Sequence, residues 1–236
     1  MEIIGDDEQE TLINSLPDEI LTKIFSYLSL KELSCFVRVV CKRWLYVSCT
    51  EILWSKLTAE DIKDLEEVAP SALVQFVSLN TSSLKYLLLD NCYDIPIHTL
   101  AKMVPNLREL SLAFCSQVNK LLLQTFSEHC PGITALNLEG CEEITHDCLT
   151  LFSGHIISRL NLSHCNHLTD DSLIFIINTF WNIKDLNLDG VQWISDDAVR
   201  LLLENCKETL RYLWLDGENL TDHALTMLGR CNNLRL

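Results

Sequence analysis

The pattern L-x-x-L-x-L-x-x-C, written at residues 107–115 as Leu-Arg-Glu-Leu-Ser-Leu-Ala-Phe-Cys, constrains this chain more than any other feature. It returns with substitutions at 84–92, 133–141, 157–165, 183–191 and 210–218. Successive starts lie 23 to 27 residues apart, a period at which one supersecondary unit is copied and stacked on itself. A unit of that size cannot bury its apolar face alone, so each copy needs its neighbours to complete a core. The array is therefore expected to be a solenoid, an architecture whose surfaces suit binding better than catalysis.

The copy at 133 shows how each unit reads. Leu136 and Leu138 alternate with polar neighbours, a period of two that predicts a short strand. A one-residue slip would turn the polar side inward, so the register is well specified. After the cysteine position comes an apolar residue: Ile95, Val118, Ile144, Leu168, Ile194 or Leu220. A capping residue follows, namely Asn119, Thr145, Thr169, Ser195 or Thr221, with Pro96 in the first copy. Aspartates at 147, 170, 171, 196, 197 and 222 then fall in a first helical turn, where the helix dipole favours them. Leu100, Leu123, Leu149, Leu173, Val199 and Leu225 supply the inner face of each helix. The fold class expected is α/β: parallel strands on the concave side of a horseshoe and helices on the convex side. It spans 84–236 as six copies plus the start of a seventh at 234–236. That last copy stops without a cap, which predicts a truncated product, a partial sequence or an isoform.

Cys92, Cys115, Cys141 and Cys165 share one column at the strand ends, where Val191 and Glu218 stand in later copies. Cys130, Cys206 and Cys231 share a second column with Val104 and Phe180. Replacement by Val and Phe says these sites want apolar bulk, which a buried thiol provides. No C-x-x-C pair exists, so neither metal binding at His164-Cys165-Asn166-His167 or His129-Cys130 nor a disulfide framework is expected.

Residues 13–57 lack the repeat and carry a helical period instead. Ser15 with Asp18 reads as a capping pattern, Pro17 suits a first turn, and Ile20, Leu21, Ile24, Phe25 and Leu28 form one apolar stripe. Ser29 and Glu32 repeat the capping pattern ahead of Leu33 and Phe36. A third apolar run from Val37 to Val47 leads on to Ile52, Leu53, Trp54 and Leu57. Three short helices in about 45 residues are near the lower limit for independent stability, so part of this surface should be covered by a partner or the next domain.

The stretch L-P-D-E-I-L-T-K-I-F-S-Y-L at 16–28, then V-C-K-R-W at 40–44 and L-W at 53–54, resembles an F-box. The combination of L-x-x-L-x-L-x-x-C with I-T/S-D resembles the cysteine-containing subclass of leucine-rich repeats found in F-box proteins. These resemblances imply a substrate receptor of an SCF-type ubiquitin ligase, itself not an enzyme, acting in proteasomal degradation. The implied partners are a Skp-type adaptor and, through it, a cullin and a RING subunit. Carried over as adaptor-binding residues are Leu16, Pro17, Ile20, Leu21, Ile24, Leu28, Val40, Cys41 and Trp44. The competing reading is a non-catalytic interaction or inhibitor protein, such as a truncated receptor that competes for the adaptor. Residues 1–12 read as an acidic disordered tail and 58–83 as a helical connector or cap, or a degenerate first repeat, with helical periodicity on both sides of Pro70.

Net charge is −15, distributed as −5 over residues 1–12, +2 over 13–57 and −12 over 58–236. That balance argues against nucleic acid as a partner, and no run is long and apolar enough for a membrane span. The N-terminus carries no secretory signal pattern, so a cytoplasmic or nuclear location with reduced thiols is expected. No phosphate loop, H-E-x-x-H or G-x-S-x-G occurs, and no cofactor is implied. Alternation sends the residues between the leucines to the concave face. Two columns there read Leu88, Ser111, Asn137, Asn161, Asn187, Trp214 and Asp90, Ala113, Glu139, Ser163, Asp189, Asp216, flanked by Tyr86, Phe114 and Tyr212. The second column is acidic in four of its six places, which should select a substrate with a basic segment.

Overall fold

The computed structural model describes residues 13–68, 77–78, 82–93, 97–192, 194–215 and 220–228. Expectations for the acidic tail, for residues 69–76 and 79–81 of the connector, for Ile95 and Pro96, and for Asp216, Glu218, Cys231 and the seventh strand lie outside these residues.

The N-terminal part folds as α1 (Asp18–Phe25), α2 (residues 30–40, with a π-helical turn at Leu33–Val37) and α3 (Lys42–Ser48), closed by a 3₁₀ turn at Glu51–Trp54. Ser29 and Glu32 form the expected reciprocal cap: Glu32 N–H donates to Ser29 Oγ at 3.2 Å and Ser29 N–H to Glu32 Oε2 at 2.8 Å. Ser15 does not cap α1. Pro17 is itself the N-cap residue, extended at φ −57° and ψ 153°, and the entry is held from outside the helix. Arg43 of α3 donates to the carbonyls of Asn14 and Leu16, and to Asp18 Oδ1 at 2.7 and 2.9 Å. Inside, Leu21, Phe25, Leu33, Val37, Val47 and Trp54 are buried, and the Phe25 and Trp44 rings meet edge-on at 5.1 Å.

The sheet then starts earlier than the repeat pattern suggests. β1 (Lys56–Thr58) pairs in parallel with β2 (Tyr86–Leu88), and the stack continues through β3 (Glu109–Ser111), β4 (Ala135–Asn137), β5 (Arg159–Asn161), β6 (Asp185–Leu188) and β7 (Tyr212–Leu215). All pairings among these strands are parallel and follow chain order. Between the strands run α4 (Ala59–Val68), α5 (Ile97–Ala101), α6 (Lys120–His129), α7 (His146–Thr150), α8 (Asp170–Thr179) and α9 (Asp196–Cys206), with α10 (Asp222–Leu228) after β7. This is an α/β solenoid of strand–helix units. Leu57, Leu87, Leu110, Leu136, Leu160, Leu186 and Leu213 stand in register as one buried column. Each such leucine contributes roughly 1.5–3 kcal/mol by leaving water. Thr58 and Asp61 cap α4 reciprocally, so β1 and α4 have the form of a first unit lacking the leucine–cysteine signature.

Helix entry follows the sequence in part. Asn119 Oδ1 accepts from Leu122 N–H at 3.0 Å and Ser195 Oγ from Ala198 N–H at 3.3 Å. Thr145 makes no such bond. The aspartates at the first helical position also do more than face a dipole. Asp170 accepts from the N–H and hydroxyl of Ser195 at 2.9 and 2.6 Å, and Asp196 accepts from the same two groups of Thr221. One helix start is thereby tied to the next.

The cysteine column has a polar job beside its bulk. Cys115, Cys141 and Cys165 donate their thiols to the carbonyls of Leu89, Leu112 and Leu138 in the preceding unit, at 3.0, 3.1 and 3.2 Å. Just before this column the backbone turns left-handed, at Asn91, Phe114, Gly140, His164 and Gly190. Bulk and glycine alternate there for a reason. A Cβ on Gly140 would sit 2.4 Å from the Phe114 ring, and one on Gly190 would sit 2.3 Å from His164 Nδ1.

Candidate functional site

Helix α1 carries apolar side chains on two faces rather than one stripe. Leu21 and Phe25 point into the module, whereas Ile20 and Ile24, one turn apart, are 48% and 38% exposed. Val40 at the end of α2 is 57% exposed, Pro17 and Cys41 are also exposed, and Leu16, Leu28 and Trp44 are half-buried. Trp44 Nε1 is buried without a hydrogen-bond partner among the described residues. Leu21 is fully buried and so acts by supporting this surface, not by presenting itself. Tyr27, Phe36, Val39, Leu45, Tyr46 and Ile52 enlarge the exposed apolar area. Phe36, Leu45 and Ile52 sit in runs that read as core from periodicity, since a short helix with two apolar faces has no polar side to betray the outer one. Arg43 is the other residue that periodicity misses, although K-R-W places it at the start of α3, within reach of the chain entering α1.

The second surface is the strand face of the sheet. Of the four acidic residues in the row, two are engaged inside the protein. Asp90 accepts from the Ser111 hydroxyl at 2.5 Å and the Ala113 N–H at 3.0 Å, and Glu139 accepts from Asn161 Nδ2 at 3.0 Å. Asp189 carries no side-chain partner among the described residues. The asparagine column is a ladder: the side-chain oxygens of Asn137, Asn161 and Asn187 accept the N–H two residues ahead at 3.1, 3.0 and 3.0 Å. These bonds terminate each strand and hold the side chains upright. Asn137 Nδ2 also donates to Ser111 Oγ at 2.8 Å, linking adjacent units.

A further column on this face reads Tyr86, Glu109, Ala135, Arg159, Asp185 and Tyr212 in register. Glu109, Arg159 and Asp185 are functional candidates that the sequence reading passes over, although they occupy the same offset as the aromatic pair it selects. Arg159 and Glu109 form an ion pair at 2.5 Å across the intervening Ala135. Beyond them Tyr212 and Trp214 stack, with centroids 5.9 Å apart and 16° between planes. Phe114, 43% exposed and at φ +55°, lies at the edge of this face, and Tyr86 is exposed at its start. Around Ala135, Glu109, Arg159 and Asp185 border an open cavity of about 170 Å³, lined also by Asn137, Asn161, Asn187 and Trp214.

The remaining reactive groups are placed for packing. Burial pushes the thiols of Cys130, Cys141 and Cys165 up to about 12. His155 is buried against Phe152, its Nε2 lies 3.2 Å from the Cys130 carbonyl, and burial lowers its pKa. No group of His, Cys, Asp and Glu among the described residues is arranged to hold a metal ion. No described helix is long and apolar enough to cross a membrane.

A helical module with an outward apolar face is thus continuous with a stacked strand–helix array, the class of α/β solenoids. The F-box-like family profile matches residues 13–60, which is α1 to α3, the 3₁₀ turn and β1. The chain is similar to lysine-specific demethylase 2B of Mus musculus, 27% identical over 237 residues. That match takes in 92% of this chain but only 17% of the relative's length. In fold it is similar to a chain of the crystal structure of the yeast Rad7 and Elc1 complex, at a TM-score of 0.55 and 15% identity. The likeness covers 94% of this chain and 76% of the other.

Proposed function

We propose that this chain is a receptor with two binding ends. The F-box-like domain docks on a Skp-type adaptor, and through it on a cullin and a RING subunit. The strand face of the solenoid holds a protein to be ubiquitinated. The chain supplies no chemistry of its own in this reading. It raises the effective concentration of substrate lysines near a charged conjugating enzyme, which is how tethering accelerates transfer.

The second apolar face of α1 carries the proposal. A helix that buries Leu21 and Phe25 satisfies its own module, so Ile20 and Ile24 in water are unexplained until something covers them. The profile match over 13–60 and the yeast fold relative, by its name a complex of Rad7 with Elc1, support the same reading. The test is co-purification of the full chain with a Skp-type adaptor, wild type against the Ile20→Asp/Ile24→Asp double variant. Ile20 and Ile24 are already about half covered, so the area left to bury is worth about 1.5–2.5 kcal/mol, tenfold or more in affinity. Both side chains are partly exposed, so the urea midpoint of the variant should fall only slightly, and adaptor recovery is compared where both proteins are folded. Equal adaptor recovery with the double variant would overturn the proposal.

A further inference from the structure

Accepting that the strand face holds a partner, the geometry points to what it grips: we infer that the cavity around Ala135 and Trp214 seats the guanidinium of an arginine presented by an extended, basic segment of the partner protein. Two observations point to a cation and a third to the extended backbone that carries it.

The first is the charge that is left over. Arg159 already lies in this cavity, but Glu109 neutralises it at 2.5 Å. Asp185, half-buried on the cavity wall, has no side-chain partner among the described residues, and neither does Asp189, exposed just past the end of the same strand and outside the cavity lining. The site therefore keeps net negative charge where its other carboxylates are already satisfied, and charge complementarity selects a cation.

The second is the aromatic wall. Trp214, 49% exposed, lines the same cavity and is braced by its stack on Tyr212. A planar cation can lie on an indole face while its N–H fork reaches a carboxylate, a pairing that guanidinium makes better than ammonium. The third is a spare donor. The asparagines at 137 and 161 use their amide nitrogens within the protein, whereas Asn187 Nδ2 has no partner among the described residues. It is free to meet a backbone carbonyl of an extended chain. The space itself follows from sequence, because Ala135 is the small residue between Glu109 and Arg159 in the column.

The experiment uses the full chain and immobilised pools of nonapeptides with a fixed central residue: arginine, lysine, citrulline or glutamate. Arginine should be retained best, lysine less, and the isosteric but uncharged citrulline at least tenfold more weakly than arginine. Asp185→Asn/Asp189→Asn and Trp214→Ala should each lower arginine-pool binding tenfold or more. Asp171→Asn/Asp197→Asn, which removes equal charge from the helix starts, should leave it within twofold. Equal retention of citrulline and arginine, or an equal effect of the helix-start variant, would overturn the inference. Adaptor co-purification is read on the same samples. Peptide capture without adaptor refutes the receptor reading alone, and adaptor without arginine preference refutes this inference alone.

Discussion

Replacing Gly140 with alanine tests the packing logic of the whole array, because two separable effects meet at one Cβ. Gly140 sits at φ +63°, where an L-residue costs about 1–2 kcal/mol. The added Cβ would also lie 2.4 Å from Phe114 Cδ1, so the ring of the preceding unit must move. Overpacking of this kind costs about 1–3 kcal/mol. The expected loss is therefore about 2–5 kcal/mol in urea unfolding followed by circular dichroism. In a Phe114→Ala background the ring is gone and only the backbone strain remains, so the same substitution should cost about 1–2 kcal/mol. The difference, a coupling of about 1–3 kcal/mol, measures the close approach by itself. A Gly140→Ala penalty that is unchanged by Phe114→Ala would refute the contact. A penalty below about 0.5 kcal/mol would refute both the contact and the left-handed backbone.

Two further outcomes follow from the buried titratable groups. Iodoacetamide at pH 8, read by mass spectrometry, should label the exposed Cys41 and Cys49 first and leave Cys130, Cys141 and Cys165 unlabelled until the chain unfolds. A thiol held at about 12 is roughly one part in ten thousand thiolate at that pH. The pKa of His155 is lowered by burial, so the unfolded chain takes up its proton before the folded one does. Stability from this group is complete above the unfolded value near 6.5 and is lost as pH falls below it. The unfolding midpoint should drop across that window in wild type and drop less in His155→Gln.

The repeats were legible because three leucines and a cysteine at fixed offsets state both the period and the register. The column Leu87, Leu110, Leu136, Leu160, Leu186 and Leu213 stands in the pairing that alternation predicts. β1 was not legible: a three-residue strand offers one inward side chain, Leu57, and one leucine has no period. The apolar residues of α1 were legible as a set, yet their division between core and solvent was not, since hydrophobicity does not say which face a short helix turns inward. The acidic row shows a different limit. Sequence gives the position of Asp90 and Glu139 on the strand face, but whether each carboxylate is available depends on a neighbour about one repeat ahead, Ser111 or Asn161. Arg43 was invisible to periodicity for the same reason, because its partners lie 25 to 29 residues back.

Because β1 belongs at once to the span matched as F-box-like and to the sheet, the molecule has a built-in ruler. Parallel strands are spaced by about 4.8 Å, so β6, five rungs from β1, lies roughly 24 Å along the stack. Adding or removing one unit between them would shift Asp185 by a single rung and also turn it by the twist of one strand pair. For a segment held at Asp185 as proposed, the distance from the F-box-like span is thus set by the number of repeats and changes only in whole steps.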